Sequence, residues 1–164
     1  SSDVCSSDLE SQYRDLGLKE LKGINQFIEG HFDCSNNKLQ SLKGSPKYIT
    51  GDFDCSKNEL KSLEYSPEVD GNYYCYSNKL TTLKGIQKLL KGNLNIINNN
   101  LINLEVSPEI IEGNFYCYLN EITSLYGSPK IIKGVFNCSN NKLTSLKGNI
   151  KLIKNIFIIR FTYF

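Results

Sequence analysis

The sequence predicts a solenoid: stacked turns of one short repeat, with a parallel β-sheet along one side, short extended or 3₁₀ return legs and little α-helix. Three observations predict it. Glycines recur at Gly30, Gly51, Gly71, Gly92, Gly113 and Gly134, with spacings of 21, 20, 21, 21 and 21. Apolar residues fall into columns in register with them. An asparagine occupies one fixed position of every repeat. Self-similarity at such a period means that each repeat is a unit that cannot bury its apolar face alone.

The strand comes first. Two residues after each glycine stand Phe32, Phe53, Tyr73, Leu94, Phe115 and Phe136. Two further on stand Cys34, Cys55, Cys75, Ile96, Cys117 and Cys138. This alternation of period two places both side chains on one face of a short strand. The asparagine column follows: Asn37, Asn58, Asn78, Asn99, Asn120 and Asn141. An amide carries enough donors and acceptors to bond the backbone of its own turn and of the next, so the column reads as a structural ladder of satisfied carboxamides. Then come Leu39, Leu60, Leu80, Leu101, Ile122 and Leu143, followed by Leu42, Leu63, Leu83, Leu104, Leu125 and Leu146. The return leg carries Pro46, Pro67, Pro108 and Pro129, residues that cannot donate to a ladder. It ends on Ile49, Val69, Leu90, Ile111, Ile132 and Ile153. The one missing residue falls on that leg, between Pro67 and Val69, where a change of length is tolerated best. The glycine slot is expected to need positive φ, since its only substitute is Asn155.

Six full repeats span 30–154, within a solenoid of 18–164 that has half repeats at each end. Leu18, Leu21 and Ile28 continue the columns upstream; Phe157, Ile159, Thr162 and Phe164 continue them downstream. Residues 10–17 form a lead-in. Ser1–Leu9, SSDVCSSDL, resembles the in-frame translation of a short-read sequencing adapter, so it and Cys5 are excluded from fold reasoning. Each added turn buries several large apolar side chains, at about 1.5–3 kcal/mol apiece before entropy.

The motif F-x-C-x-x-N-x-L-x-x-L, as in FDCSNNKLQSL and FNCSNNKLTSL, is similar to the leucine-rich repeat consensus L-x-L-x-x-N-x-L. The G-x-F-x-C-S-x-N-x-L-x-S-L-x-G-S-P form resembles leucine-rich repeat proteins of phages, large viruses and low-GC bacteria. The resemblance implies a leucine-rich repeat solenoid, curved and right-handed, with the parallel sheet on its concave face. It also implies that a protein or peptide binds there.

Composition bounds the function. The 164 residues are 40% hydrophobic and 22% charged, which suits one folded domain and argues against wholesale disorder. A net charge of +2 does not suggest nucleic acid or an anionic membrane surface as partner. No stretch is apolar and long enough to span a bilayer, and no signal peptide is visible. The chain has no Met and is rich in Asn, Ile and Lys, which reads as a fragment of a low-GC coding sequence.

Between the buried strand positions, side chains point outward. One outward row reads Asp33, Asp54, Tyr74, Asn95, Tyr116, Asn137, the next Ser35, Ser56, Tyr76, Ile97, Tyr118, Ser139, and the third His31, Asp52, Asn72, Asn93, Asn114, Val135. Tyr74, Tyr76, Asn95, Ile97, Tyr116 and Tyr118 form the expected binding patch, because tyrosine gives contact area with few rotors to freeze. Asp33, Asp52 and Asp54 form an acidic end beside it. Tyrosine also fills sheet surfaces for packing alone.

No catalytic residue, metal site or cofactor is expected. The repeat cysteines run in single file, never as C-x-x-C, and share their column with isoleucine, so they read as buried structural thiols. Reduced thiols suggest an intracellular, cytoplasmic location. His31 reads as a surface residue, and Lys38, Lys79 and Lys142 as a weakly basic rim. The leading expectation is a non-enzymatic interaction module. The alternatives are the targeting part of a larger enzyme, such as a bacterial effector ubiquitin ligase, and a structural or adhesive element of a phage or virus. A strand edge carrying Phe157, Ile158, Ile159 and Phe161 is expected to promote self-association.

Overall fold

The computed structural model describes residues 13–159. They form a parallel β-solenoid of about six turns, and no helix occurs among them. The main sheet has seven two-residue strands: Phe32–Asp33, Phe53–Asp54, Tyr73–Tyr74, Leu94–Asn95, Phe115–Tyr116, Phe136–Asn137 and Phe157–Ile158. They lie in chain order, all parallel, with each residue beside its counterpart one repeat away, Phe32 on Phe53 and Asp33 on Asp54. The ladder runs on past each strand, with Cys34 N–H donating to Asp54 O at 2.8 Å and Asn36 N–H to Ser56 O at 3.0 Å. Each strand stops there because Asn36, Lys57, Ser77, Asn98, Leu119 and Asn140 turn the chain with φ of 51–56°.

The return leg is extended and forms a parallel ladder of its own. Phe27–Ile28, Tyr48–Ile49 and Glu68–Val69 make one sheet; Leu89–Leu90, Ile110–Ile111, Ile131–Ile132 and Leu152–Ile153 make another. The break between them falls at the missing residue. The main sheet continues across that rung, with Tyr73 beside Leu94, but Glu68–Val69 does not pair with Leu89–Leu90. The Gln87 carboxamide fills the gap: its Oε1 accepts Val69 N–H at 2.7 Å, and its Nε2 donates to Val69 O at 2.9 Å and Leu89 O at 2.7 Å. Gln87→Ala removes all three bonds at a place with no substitute donor, and chemical unfolding should show a loss of about 1–2 kcal/mol. An unchanged midpoint would mean that the splice carries no stability.

The core lies between the main sheet and the return-leg sheets. The Phe, Cys and first Leu columns are buried throughout the six full repeats, as are Ile49, Val69, Leu90, Ile111 and Ile132. Aromatic rings stack along it: the Phe115 and Phe136 centroids are 5.2 Å apart at 6°, and Phe53 meets Tyr73 edge-on at 5.1 Å. Tyr73 is wholly buried and its hydroxyl makes no hydrogen bond, while the Ser66 hydroxyl donates to Gly85 O at 3.0 Å. Tyr73→Phe, the residue found at Phe32, Phe53, Phe115 and Phe136, should therefore raise the unfolding free energy by about 1 kcal/mol. A fall in thermal midpoint would contradict the orphaned hydroxyl. One apolar column departs from expectation. Leu146 is 50% exposed where Leu42 to Leu125 are buried, since no rung of the described residues covers it.

The glycine column is needed for a different reason from the one expected. Only Gly30 has positive φ, at 101°; Gly51, Gly71, Gly92, Gly113 and Gly134 do not. They are glycine because the rungs touch there. A Cβ on Gly51, Gly71, Gly92, Gly113 or Gly134 would lie 2.4–2.7 Å from the carbonyl oxygen of the glycine one turn before. Gly51 N–H donates to Gly30 O at 2.8 Å, and Gly134 N–H to Gly113 O at 2.9 Å. The left-handed conformation is used instead at the corner that leads into the return leg. Gly44, Gly85 and Gly127 supply it there, and Tyr65 and Val106 adopt it at φ of 68° and 58°.

The charged surface also differs from the sequence reading. The slot of Lys38, Lys79 and Lys142 reads Lys38, Glu59, Lys79, Asn100, Glu121, Lys142 along the stack, so it alternates and is not a basic rim. Lys79 pairs with Glu59 at 3.3 Å and Lys142 with Glu121. Elsewhere Lys84 pairs with Glu64, Lys91 with Asp70, Lys130 with Glu109 and Lys133 with Glu112, each lysine one turn after its acid. The lysine bond holds each of Glu64, Asp70, Glu109 and Glu112 below the usual carboxylate range. These are exposed pairs, individually weak, but all favour one register of adjacent turns.

The N-terminal segment Ser1–Leu9 with Cys5, residues 10–12 of the 10–17 lead-in, and Phe161, Thr162 and Phe164 lie outside the described residues. Phe157 and Ile158 pair with Phe136–Asn137 and are each 38% exposed. Among the described residues no helix is long and apolar enough to cross a membrane.

Candidate binding face

The main sheet presents one face to solvent, and its rows follow from the register. Asp33, Asp54, Tyr74, Asn95, Tyr116 and Asn137 are direct neighbours in sequence of rungs. All six are half-buried. The second row is less uniform than its outward position suggests. Tyr76, Ile97 and Tyr118 are half-buried, whereas Ser35, Ser56 and Ser139 are buried. The chain turns at the next residue, so only a long side chain escapes the corner. Tyr74, Tyr76, Asn95, Ile97, Tyr116 and Tyr118 thus share three consecutive rungs and two adjacent rows. Asp33, Asp52 and Asp54 lie at one end.

The polar residues of this face also serve the backbone, in two ways the sequence reading missed. In the first row, Oδ1 of Asp33, Asp54, Asn95 and Asn137 accepts the N–H two residues on, at 2.8–3.1 Å. This is a local side-chain turn that only Asp and Asn of the row can make. Tyr74 and Tyr116 interrupt it, because a phenol has no acceptor at that reach.

In the third row a second ladder climbs the stack. The Nδ1 of His31 accepts Asp52 N–H at 2.8 Å, and Oδ1 of Asp52 accepts Asn72 N–H at 2.6 Å. Asn72 then accepts from Asn93, Asn93 from Asn114 and Asn114 from Val135, at 2.7–2.9 Å. Its sequence signal was present: the column holds only acceptors until Val135 ends it. The same oxygens explain more of the glycine column, since a Cβ on Gly71, Gly113 or Gly134 would meet Oδ1 of Asp52, Asn93 or Asn114 at 2.3–2.6 Å. Asn155 stands in the glycine slot after Val135, where no such oxygen exists.

Beneath the face runs the inner ladder. The Nδ2 of Asn99 donates to Cys75 O and Ile96 O, both at 3.1 Å, and its Oδ1 accepts Leu80 N–H at 3.0 Å. Asn58, Asn78, Asn120 and Asn141 repeat the pattern, and Asn37 ties the first repeat to the lead-in through Leu16, Leu18 and Tyr13.

Chain comparison leaves the site to be read from its own geometry. No known protein family, curated protein or solved structure matches the chain. Cys34, Cys55, Cys75, Cys117 and Cys138 are free and buried in single file. Burial holds the thiols of Cys34, Cys55 and Cys117 protonated far above neutrality and pushes Cys138 up to about 12. Among the described residues no three His, Cys, Asp or Glu side chains converge as metal ligands.

The acidic end forms a cleft of about 320 Å³ lined by His31, Phe32, Asp33, Asp52, Asp54 and Tyr74. Burial raises the Asp54 carboxyl above its ordinary range. Burial, then the charges of Asp52 and Asp54, does the same to the Tyr74 phenol.

Proposed function

We propose that the chain is a non-enzymatic interaction module of leucine-rich repeat type, its main sheet concave, and that it binds a protein or peptide through Tyr74, Tyr76, Ile97, Tyr116 and Tyr118. One observation carries the reading. At Tyr74 and Tyr116 the row gives up a backbone-serving side chain that Asp33, Asp54, Asn95 and Asn137 all provide. A residue kept only to build the sheet would be Asp or Asn there. The two replacements, with Tyr76 and Tyr118 diagonal to them, make half-exposed aromatic area of the kind that anchors interfaces.

The test is the double variant Tyr116→Ala, Tyr118→Ala. It leaves both ladders untouched, so its circular dichroism and unfolding midpoint should match the parent. Affinity for a peptide selected on the parent chain should fall at least tenfold, the loss of a central aromatic anchor. Undiminished affinity in a folded double variant would refute the reading.

A further inference from the structure

We infer that the partner presents an extended, cationic segment, with a Lys or Arg seated between Asp52, Asp54 and the Tyr74 ring and an apolar side chain on Tyr116 and Tyr118. The inference rests on the proposed function and goes further by giving the occupant's chemistry.

Charge placement is the first argument. The chain has Lys+Arg 19 against Asp+Glu 17. The six full rungs carry no Lys or Arg in the three outward rows, whose charged members there are Asp33, Asp52 and Asp54, with His31 beside them; Arg14 takes the second-row slot one turn before Ser35, at the end of the sheet. Lysines elsewhere neutralise the acids of the preceding turn. On this face Asp33 is 3.9 Å from the mostly exposed Arg14, and among the described residues Asp52 has no Lys or Arg partner; the His31 Nδ1 that lies 3.5 Å from its carboxylate is the atom that accepts its N–H. Asp54 has no ion-pair partner among the described residues. Six rungs whose outward rows carry acids and no Lys or Arg of their own, within a slightly basic chain, are complementary to a cationic partner.

Shape is the second argument. The cleft places the carboxylates of Asp33, Asp52 and Asp54 and the Tyr74 side chain around a single open space, which suits a cation held by charge beside an aromatic side chain. The half-buried, unpaired Asp54 carboxylate gains most from such a partner. Rungs are about 4.8 Å apart, so Asp54 and Tyr116, three rungs apart, are separated by about 14 Å. An extended segment covers that distance in about four residues, and residues i and i+4 of a strand point the same way. The partner's cation and apolar anchor therefore stand about four residues apart.

The experiment selects displayed random 12-residue peptides on the immobilised full chain and measures the strongest binder by fluorescence polarisation. It uses two variants. Asp52→Asn with Asp54→Asn removes the charge and keeps the backbone bonds, since Asn72, Asn93 and Asn114 serve the first slot and Asn95 and Asn137 the second. The other is Tyr116→Ala with Tyr118→Ala. The expected result is enrichment of Lys or Arg about four residues from an apolar residue. Affinity should then fall about tenfold in the Asn pair and weaken with added salt. Binders without a cationic preference, or an Asn pair that binds undiminished while the Ala pair does not, would overturn this inference and leave the proposed function standing. Binders insensitive to both variants, or no binder at all, would overturn both.

Discussion

Gly92→Ala should lower the unfolding free energy by about 3 kcal/mol, although it adds one methyl group to an element without regular helix or long strand. The new Cβ would stand 2.4 Å from Gly71 O, 2.6 Å from Gly71 C and 2.8 Å from Asn72 N. These are backbone atoms of the adjacent rung and cannot rotate away. Relief requires the two rungs to part, which strains the neighbouring bonds of Tyr73 N–H to Asn93 O at 2.8 Å and Cys75 N–H to Asn95 O at 2.9 Å. Gly23→Ala is the comparison. Nothing lies within 4 Å of its Cβ, and only its φ of +69° opposes a side chain, so it should cost about 1 kcal/mol. Urea unfolding of both variants separates the two causes. Equal losses would show that rung contact does not fix the glycine column.

Asn99→Leu should destabilise by about 1–3 kcal/mol despite adding apolar area to a buried site. Most of its bonds have understudies: Cys75 O also accepts from Asn78, and Ile96 O from Asn120. Leu80 N–H has none. Its acceptor is Asn99 Oδ1, 19 residues away, and without it a buried donor faces hydrocarbon. The cost is therefore that of one orphaned donor, with some local repacking. A neutral or stabilising substitution, read by the shift in urea midpoint at unchanged slope, would show that the carboxamides are passengers in the stack.

The period, the parallel stacking and the buried columns were legible because each rung repeats the same chemistry. Apolar columns in one register cannot be accidental, and stacking the repeats in that register buries them together. The reason for the glycines was not legible. A glycine excluded by its neighbour's carbonyl and one needed for positive φ look alike in sequence, and only Gly30 among the column is of the second kind. The outer ladder from His31 to Val135 was hidden by chemical variety, since His, Asp and Asn look unrelated until the shared acceptor geometry is seen. Asp33 and Asp54 looked like free surface charge, and half of each carboxylate is bound to its own strand. Gln87 carried no signal, because its role exists only where one residue has been lost from the rung before it. The tyrosines of the face were visible as a cluster, but their exchange for Asp or Asn in the row became meaningful only once the turn-forming bonds were placed.

The central claim is that each turn lies parallel on the next, one repeat further along the chain. Through-hydrogen-bond NMR couplings test it most directly, since they name donor and acceptor together. The account predicts couplings from Phe32 N–H to Asp52 C=O, Phe53 to Asn72, Tyr73 to Asn93, Leu94 to Asn114 and Phe115 to Val135. Couplings that instead join neighbouring segments in antiparallel order, or their absence at these pairs in a folded sample, would contradict it.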